Sequence, residues 1–198
     1  MKVRISLIKE IFRKSIHLCS GFVPLLLFYA FWPTIILLIC AIIFYSICEF
    51  LRLKGHVVPL ISVITETAAR KRDEDRFVLG PVTLALGILI AALYLSFEHA
   101  EVGIFALAFG DGCASLVGKM IGRVKIPHMG GKTLEGCLGC FTAVFLATLA
   151  VSHRPILSLL TALLTMLIEV LPLFDFDNLL IPICTGLFYG YISGFPIL

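Results

Sequence analysis

Long, nearly uninterrupted apolar runs constrain this chain more than any other feature of its sequence. Of its 198 residues, 60% are hydrophobic and 15% are charged, and the mean hydropathy is +1.05. Soluble domains carry roughly 25% charged residues, and a helix needs about 20 apolar residues to cross a bilayer. The sequence therefore predicts an all-α, polytopic integral membrane protein.

Seven segments are apolar enough to be candidate transmembrane helices. They are 15–31, 33–51, 77–97, 102–118, 133–152, 155–173 and 179–197. Between the second and the third, the sequence predicts a short interfacial helix over 59–69 and a charged linker from Arg70 to Asp75. We expect one membrane domain over residues 1–198.

The cations fall almost entirely on one side of the seven predicted spans. With the N-terminus placed inside, the inner segments hold 15 of the 16 Lys and Arg residues, and Arg154 falls outside. Cytoplasmic loops of membrane proteins carry an excess of Lys and Arg. The distribution predicts a cytoplasmic N-terminus and a location in the cell (inner) membrane.

The segment at 109–136, FGDGCASLVGKMIGRVKIPHMGGKTLEG, combines charged residues with glycines. One helix face in it carries a small residue at every fourth position: Gly110, Ala114, Gly118 and Gly122. Such a face allows a neighbouring helix to pack closely. Asp111, Ser115 and Lys119 follow the same period on an adjacent face, which we expect to run from mid-membrane to the cytoplasm.

Polar residues from distant parts of the chain fall at the inner side of the predicted spans. Ionisable residues within spans are costly and are therefore candidates for function. The candidates are Arg13, His17, Glu49, Arg52, Asp111, Lys119, Arg123, Lys125, Lys132, Glu135, Glu169, Asp175, Asp177 and Asn178. The three-residue spacing of Lys132 and Glu135 allows both to point at one site.

Their chemistry indicates a site for phosphate and metal. Cations and flexible glycines suit phosphate groups, because the cations neutralise charge and the glycines let backbone N–H groups approach closely. Carboxylates suit Mg²⁺, which binds one or two of them together with phosphate oxygens. Beside a bilayer, this combination predicts phosphoryl or nucleotidyl transfer to a lipid.

Taken singly, these residues also have structural interpretations. Asp111 could be a buried acid that pairs with Lys119 or His17, and His17 could be a satisfied residue of a helix interface. Glu49 and Arg52 could form a simple i,i+3 pair. The cations of the 119–132 loop could hold lipid phosphates as ordinary inner-side residues.

The seven cysteines lie mostly inside apolar segments and do not indicate a disulfide framework. Cys137 and Cys140 form a C-x-x-C pattern, which could indicate redox or metal chemistry. Because both lie next to glycines, we interpret them as small packing residues.

The sequence FGDGCASLVGKMIGRVKIP…GGKTLEGCLGCF resembles the core of the CTP-dependent lipid alcohol kinases, which act on dolichol, polyprenol, phytol, farnesol or diacylglycerol. Weaker matches are RKSIHLCSG at 13–21, EFLR at 49–52, and Glu169 followed by Asp177, Asn178 and Pro182. These kinases are distantly similar to phosphatidate cytidylyltransferase, whose motif the KTLEG form approaches. The C-terminal signature typical of the cytidylyltransferase does not occur in this sequence.

The resemblance implies Mg²⁺-dependent transfer of the γ-phosphate of CTP to a lipid alcohol, at the cytoplasmic face. From it we expect catalytic roles for Asp111, Lys132 and Glu135, and metal ligands in Asp111, Glu169 and Asp177. We expect the nucleotide to contact Arg13, His17, Glu49, Arg52, Lys119, Arg123, Lys125 and Asn178.

Two other functions stay open at this point. A CDP-lipid synthase would direct attack to the α-phosphate of CTP, and a small ion-coupled transporter would use Asp111 as a proton or ion site. Against transport, the acids do not form a path across the predicted membrane. We expect no nucleic-acid partner, and the small-residue face could pack helices within one chain or between two.

Overall fold

The computed structural model of the chain is an assembly of helices. It describes residues 2–56, 58–59, 65 and 76–194, with side chains from residue 8 onward. The α-helices are α1 (Lys2–Cys19), α2 (Val23–Tyr29), α3 (Phe31–Leu53), α4 (Gly80–Tyr94), α5 (Phe97–Phe105), α6 (Gly112–Met120), α7 (Leu134–Ser152), α8 (Pro155–Val170) and α9 (Asp177–Ser193). A 3₁₀ turn at Ser20–Phe22 joins α1 to α2, and a π-helical segment at Ala106–Asp111 joins α5 to α6. The predicted all-α fold is confirmed, whereas the predicted interfacial helix and charged linker lie almost entirely outside the described residues.

Four of these stretches are long and apolar enough to cross a bilayer. They are Ile8–Tyr29, Phe31–Leu53, Phe97–Met120 and Leu134–Ser152. The helices α4 and α8 are apolar but shorter, and α9 has 17 residues. Helices therefore occur at all seven predicted places, while the number of spans and the orientation of the N-terminus stay predictions.

Local sequence signals explain where several helices begin and end. The hydroxyl of Thr133 accepts a hydrogen bond from the N–H of Gly136 at 3.1 Å, which caps the start of α7. Pro155 opens α8 and Pro81 lies in the first turn of α4, where a missing N–H is harmless. Gly194 ends α9 with a φ of 74°, a left-handed conformation that favours glycine.

The predicted small-residue face packs against α7. A Cβ atom on Gly110 would lie 2.7 Å from Cγ2 of Val144, and one on Gly136 would lie 2.7 Å from the carbonyl oxygen of Ala114. Only hydrogen at these positions allows the π-helical segment and α6 to approach α7 so closely. This contact fixes the helix that carries Asp111 relative to the start of α7.

The backbone of α9 is in equally close contact with α4 and α5. Pro182 has no N–H, so the carbonyl of Asn178 loses its usual donor within the helix. A Cβ on Gly87 would lie 2.4 Å from that carbonyl oxygen, and a Cβ on Gly103 would lie 2.2 Å from the carbonyl oxygen of Pro182. The two glycines therefore let three helices meet at the proline.

Replacing Gly103 by Ala is expected to destabilise the bundle by about 1–3 kcal/mol, because α5 and α9 must separate to admit the methyl group. Thermal unfolding of the detergent-solubilised protein should show a lower midpoint. Ala150→Val, which adds carbon atoms on an exposed face of α7, is the control and should leave the midpoint nearly unchanged. Equal midpoints for Gly103→Ala and the wild type would contradict the close contact.

Candidate active site

A cavity of about 390 Å³ lies between α1, α6, the end of α8 and the loop that precedes α7. Four cations and four carboxylates line it: Arg13, Lys14, Lys119, Lys132, Glu10, Asp111, Glu169 and Asp177. Six of these were predicted from the sequence, and they come from both ends of the chain and from its middle. We refer to this space below as the polar cavity.

Asp111 lies at the end of the π-helical segment and is 4% exposed. Its Oδ2 accepts a hydrogen bond from Nζ of Lys14 and lies 3.0 Å from Nδ1 of His17. Of the two partners that the structural interpretation of Asp111 allowed, His17 lies beside it, whereas Lys119 contacts Glu10 instead. Single π turns within α-helices are frequent at functional sites, since they change which residues face a neighbour.

Three carboxylates meet at the floor of the polar cavity. Each of Asp111, Glu169 and Asp177 offers an oxygen within 4.8 Å of the others, and all three are buried. Nζ of Lys132 donates to the main-chain carbonyl of Glu169 and, at 2.8 Å, to its Oε1, whereas Oε2 has no hydrogen-bond partner within the described part of the chain. Buried carboxylates at this separation repel one another, so the group fits a divalent cation such as Mg²⁺.

Glu10 is a site residue that the sequence analysis missed. It is 3% exposed and accepts hydrogen bonds from Arg13, from Lys119 and, at 2.5 Å, from the hydroxyl of Ser115. Glu10 therefore orients two cations of the cavity wall and ties α1 to α6. Its position three residues before Arg13 and seven before His17 places it on the same face of α1, and that spacing was the available signal.

The loop between α6 and α7 folds as a narrow hairpin. Hydrogen bonds of 2.9 Å run from the N–H of Ile126 to the carbonyl of Lys132 and from the N–H of Leu134 to the carbonyl of Val124. The tip, 129–131, lines the polar cavity together with Lys132. The two glycines of the tip have φ values of 63° and 86°, which other residues adopt only with strain.

Three predicted residues of this loop region lie away from the polar cavity. The Glu135 carboxylate accepts the N–H of Val124 at 3.2 Å and so fastens the base of the hairpin, while Arg123 and Lys125 are exposed on it. Of Lys132 and Glu135, which their spacing allows to point at one site, Lys132 lines the polar cavity and Glu135 does not. Lys132 precedes the first helical residue, so the helical i,i+3 relationship does not apply to the pair.

Glu49 and Arg52 form the i,i+3 pair that was one of the two sequence interpretations. Arg52 donates two hydrogen bonds of 2.8 Å to Glu49, and Oε1 of Glu49 also accepts the N–H of Val78 at 2.8 Å. Arg52 donates further to the carbonyl of Arg76 at 3.0 Å. The pair thus fastens the segment before α4 to the end of α3, and neither residue lines the polar cavity.

Asn178 lies next to Asp177 at the start of α9 and is 5% exposed. Its amide donates to the carbonyl of Gly80 at 3.3 Å and to the hydroxyl of Thr83 at 3.2 Å. These contacts hold the start of α9, and with it Asp177, against the first turn of α4. The structure therefore places Asn178 behind the carboxylate group rather than in the polar cavity.

The two cysteines of the C-x-x-C pattern are free thiols, and both are buried. Cys140 packs in the contact between Gly110 and α7, and Cys137 forms part of the cavity wall. Their places agree with the packing interpretation.

Sequence comparisons show that this chain is similar to lipid kinases. Farnesol kinase of Arabidopsis thaliana is 29% identical over 149 residues, covering 72% of this chain and 47% of that protein. Phytol kinase 1 of the same plant is 27% identical over 151 residues, covering 71% and 47%. CTP-dependent diacylglycerol kinase 1 of Saccharomyces cerevisiae is 24% identical over 216 residues, covering 92% and 73%.

This chain is a homologue of lipid kinases, one of which is named as CTP-dependent. The predicted resemblance is thereby confirmed, although the chain spans about half the length of the two plant proteins. No protein-family profile matches this lipid kinase homologue. No solved structure matches it either.

Proposed function

We propose that this chain is a membrane lipid kinase that transfers the γ-phosphate of CTP to the hydroxyl group of a lipid alcohol. The observation that carries the proposal is the polar cavity, in which four cations surround three closely spaced buried carboxylates within apolar helices. The lipid kinase relatives support the reaction type, and the name of the yeast relative supports CTP as the donor.

The cations of the polar cavity would bind the triphosphate. Arg13, Lys119 and Lys132 line it, and each already contacts a carboxylate. Since cations and anions are equal in number there, a metal-bound triphosphate can enter by exchanging one set of charge contacts for another. The glycine-rich tip at 129–131 offers backbone N–H groups at the same wall, which suits phosphate oxygens.

The metal would be held by Asp111, Glu169 and Asp177, which the unpartnered oxygen of Glu169 supports. When bound, a divalent ion such as Mg²⁺ neutralises phosphate charge as it shifts toward the leaving group. The chain itself orients the reactants: Glu10 positions two cations, and the hairpin positions Lys132.

The reaction forms a bond between the hydroxyl oxygen of the lipid and the γ-phosphorus, and it breaks the bond between that phosphorus and the bridging oxygen. CDP leaves, and the hydroxyl proton passes to the buried carboxylate group. Such transfers depend mainly on positioning and charge neutralisation, which is what the polar cavity supplies. A lipid acceptor fits because apolar helices surround the cavity.

Isotopic labelling tests the reaction directly. Purified protein should transfer label from [γ-³²P]CTP, and not from [α-³²P]CTP, to phytol, farnesol, a polyprenol or diacylglycerol in the presence of Mg²⁺. Label arriving from the α position with phosphatidic acid would identify a CDP-lipid synthase. Label from neither position, over all acceptors, would overturn the proposal in favour of ion-coupled transport.

We also propose that the polar cavity opens to the cytoplasm, where CTP is available. The one-sided cation distribution supports a cytoplasmic N-terminus. A fluorescent protein fused to the N-terminus should therefore fold and fluoresce in the cytoplasm, whereas a periplasmic reporter at the same end should be inactive. The opposite pattern would contradict this orientation.

Glu135 offers a test of positioning against direct contact. If it acts by fastening the hairpin, Glu135→Gln should keep much of the turnover because the amide oxygen still accepts the N–H of Val124. Glu135→Leu should lower kcat by about tenfold, because the tip of the hairpin loses its anchor. Equal, severe losses in both variants, measured as kcat and as the KM for CTP, would instead place Glu135 on the nucleotide or metal.

A further inference from the structure

A second cavity, of about 50 Å³, adjoins the polar cavity and shares Arg13 and Lys14 with it. It is enclosed by α1, the segment that starts α4 and the start of α9. Its polar side is formed by Arg13, Lys14, His17, Asp175 and Asn178, while Ile16, Val78, Pro81 and Leu84 supply an apolar wall. A space of this size is larger than one water molecule requires and can hold the end of an alkyl chain.

The polar side of this second cavity adjoins the carboxylate group. Lys14 and His17 both contact Oδ2 of Asp111, and Lys14 also lines the polar cavity. These two side chains therefore form the partition between the two cavities. A hydroxyl group held at the partition from one side would face phosphate groups held on the other.

The apolar end opens toward the side of the bundle. Ile16 is 38% exposed and Pro81 is exposed, so these residues form a rim, whereas Val78 and Leu84 lie deeper. Among the described elements, α1 packs on the π-helical segment and α6, while α4 packs on α3, α5 and α9. Ile16 belongs to the apolar stretch Ile8–Tyr29 and Pro81 to the apolar helix α4, so the rim suits the entry of a hydrocarbon chain from a bilayer.

We propose that this second cavity, the acceptor pocket, receives the hydroxyl end of the lipid alcohol; this rests on the proposed kinase function. The chain of the alcohol enters between Ile16 and Pro81, and its hydroxyl reaches Lys14 and His17. The pocket thereby brings an apolar substrate to a charged site without exposing the chain to water.

The size of the acceptor pocket also indicates its substrate class. Its space of about 50 Å³ admits a slim hydrocarbon chain that ends in a CH₂OH group. The glycerol backbone of a diacylglycerol carries two ester-linked chains within a few atoms of its hydroxyl and is too wide for that space. The pocket therefore selects single-chain alcohols over glycerides.

Substitutions at the rim test the acceptor pocket. Ile16→Trp should lower kcat/KM for a single-chain alcohol by about tenfold or more by narrowing the entrance, with the KM for CTP unchanged. Ile16→Ala should widen the entrance and raise the relative rate with diacylglycerol. Ile8→Trp is the matched control, because Ile8 is 62% exposed on the same helix and does not line the pocket. Equal effects of Ile16→Trp and Ile8→Trp, or a wild-type preference for diacylglycerol, would overturn the proposal.

Photocrosslinking separates this inference from the proposed function. A long-chain primary alcohol with a diazirine near its hydroxyl should label residues 16 and 81 of the wild type, and Ile16→Trp should reduce that labelling. Labelling there without any phosphate transfer would support the pocket and overturn the kinase function. Phosphate transfer with labelling elsewhere would support the kinase and overturn the pocket.

Discussion

Asp111→Asn is expected to lower the rate of phosphate transfer by at least about 10³-fold. Asp111 is the residue at which all features of the site meet. It belongs to the carboxylate group, it ends the π-helical segment, and its Oδ2 contacts both residues that separate the two cavities. An amide at this position keeps the shape of the side chain but removes the charge that a metal or a transferred proton requires.

The folding of this variant must be controlled, because Asp111 pairs with Lys14 and both side chains are nearly fully buried. Removing one partner of a buried ion pair leaves an uncompensated charge and costs about 3–5 kcal/mol of folding free energy. Asp111→Asn combined with Lys14→Met removes both charges, so its thermal midpoint should recover toward that of the wild type.

The decisive comparison is between this double variant and Lys14→Met alone. If Asp111 takes part in the chemistry, the double variant should transfer phosphate far more slowly than the single variant; the thermal midpoint of each is measured as well, because Lys14→Met alone also leaves a buried charge without its partner. Equal rates would show that Asp111 serves only as the counter-charge of Lys14. CTP binding, measured by equilibrium dialysis, should persist in both variants because other cations of the polar cavity are intact.

The helices could be predicted from the sequence because hydropathy reports burial in an apolar phase over many residues. Their ends were less predictable. The predicted span 77–97 begins three residues before α4, since both backbone polar groups of Val78 bind side chains of α3: Glu49 accepts its N–H, and Tyr45 donates to its carbonyl at 3.1 Å. An apolar residue whose backbone groups bind the side chains of another helix is not helical, and a hydropathy profile does not detect such hydrogen bonds.

The π-helical segment was not predictable for a related reason. A π turn changes the register of a helix without changing its composition, so Phe97–Met120 reads as one apolar helix. Its position depends on how Gly110 packs against Val144 and Cys140 on α7. That contact joins residues about 30 positions apart, beyond the range of a local pattern.

The convergence of charges could be predicted because consecutive spans alternate in direction and so bring particular ends together. The partner of each individual charge could not be predicted. Glu10 was overlooked among the five N-terminal cations, although it binds two cations of the site. Lys119 was one of two possible partners of Asp111, yet it reaches across to Glu10 on α1, because contacts between helices depend on their relative rotation.

Lys132→Met is expected to weaken the binding of CTP in the polar cavity and to strengthen the binding of the divalent metal ion. Lys132 is the only cation that the described residues place directly on Glu169, with Nζ 2.8 Å from Oε1. Without it, the KM for CTP should rise by about tenfold or more, since a triphosphate loses a charge-assisted hydrogen bond. The carboxylate group becomes more negative at the same time, so its affinity for Mn²⁺, used as a spectroscopic substitute for Mg²⁺, should increase.

Opposite changes in the affinities for CTP and Mn²⁺ distinguish a specific role of Lys132 from a general disruption of the site. A collapsed site would bind both CTP and Mn²⁺ more weakly, which would contradict the assignment of Lys132 to the triphosphate. Lys132→Arg keeps the charge and should lie between the wild type and Lys132→Met. Lys54→Met removes an exposed cation that lies over the ring of Phe50, away from the cavity, and should change neither affinity. If Lys125→Met matched Lys132→Met in both measurements, the hairpin would have to turn its other edge toward the nucleotide, because Lys125 is exposed in the present fold.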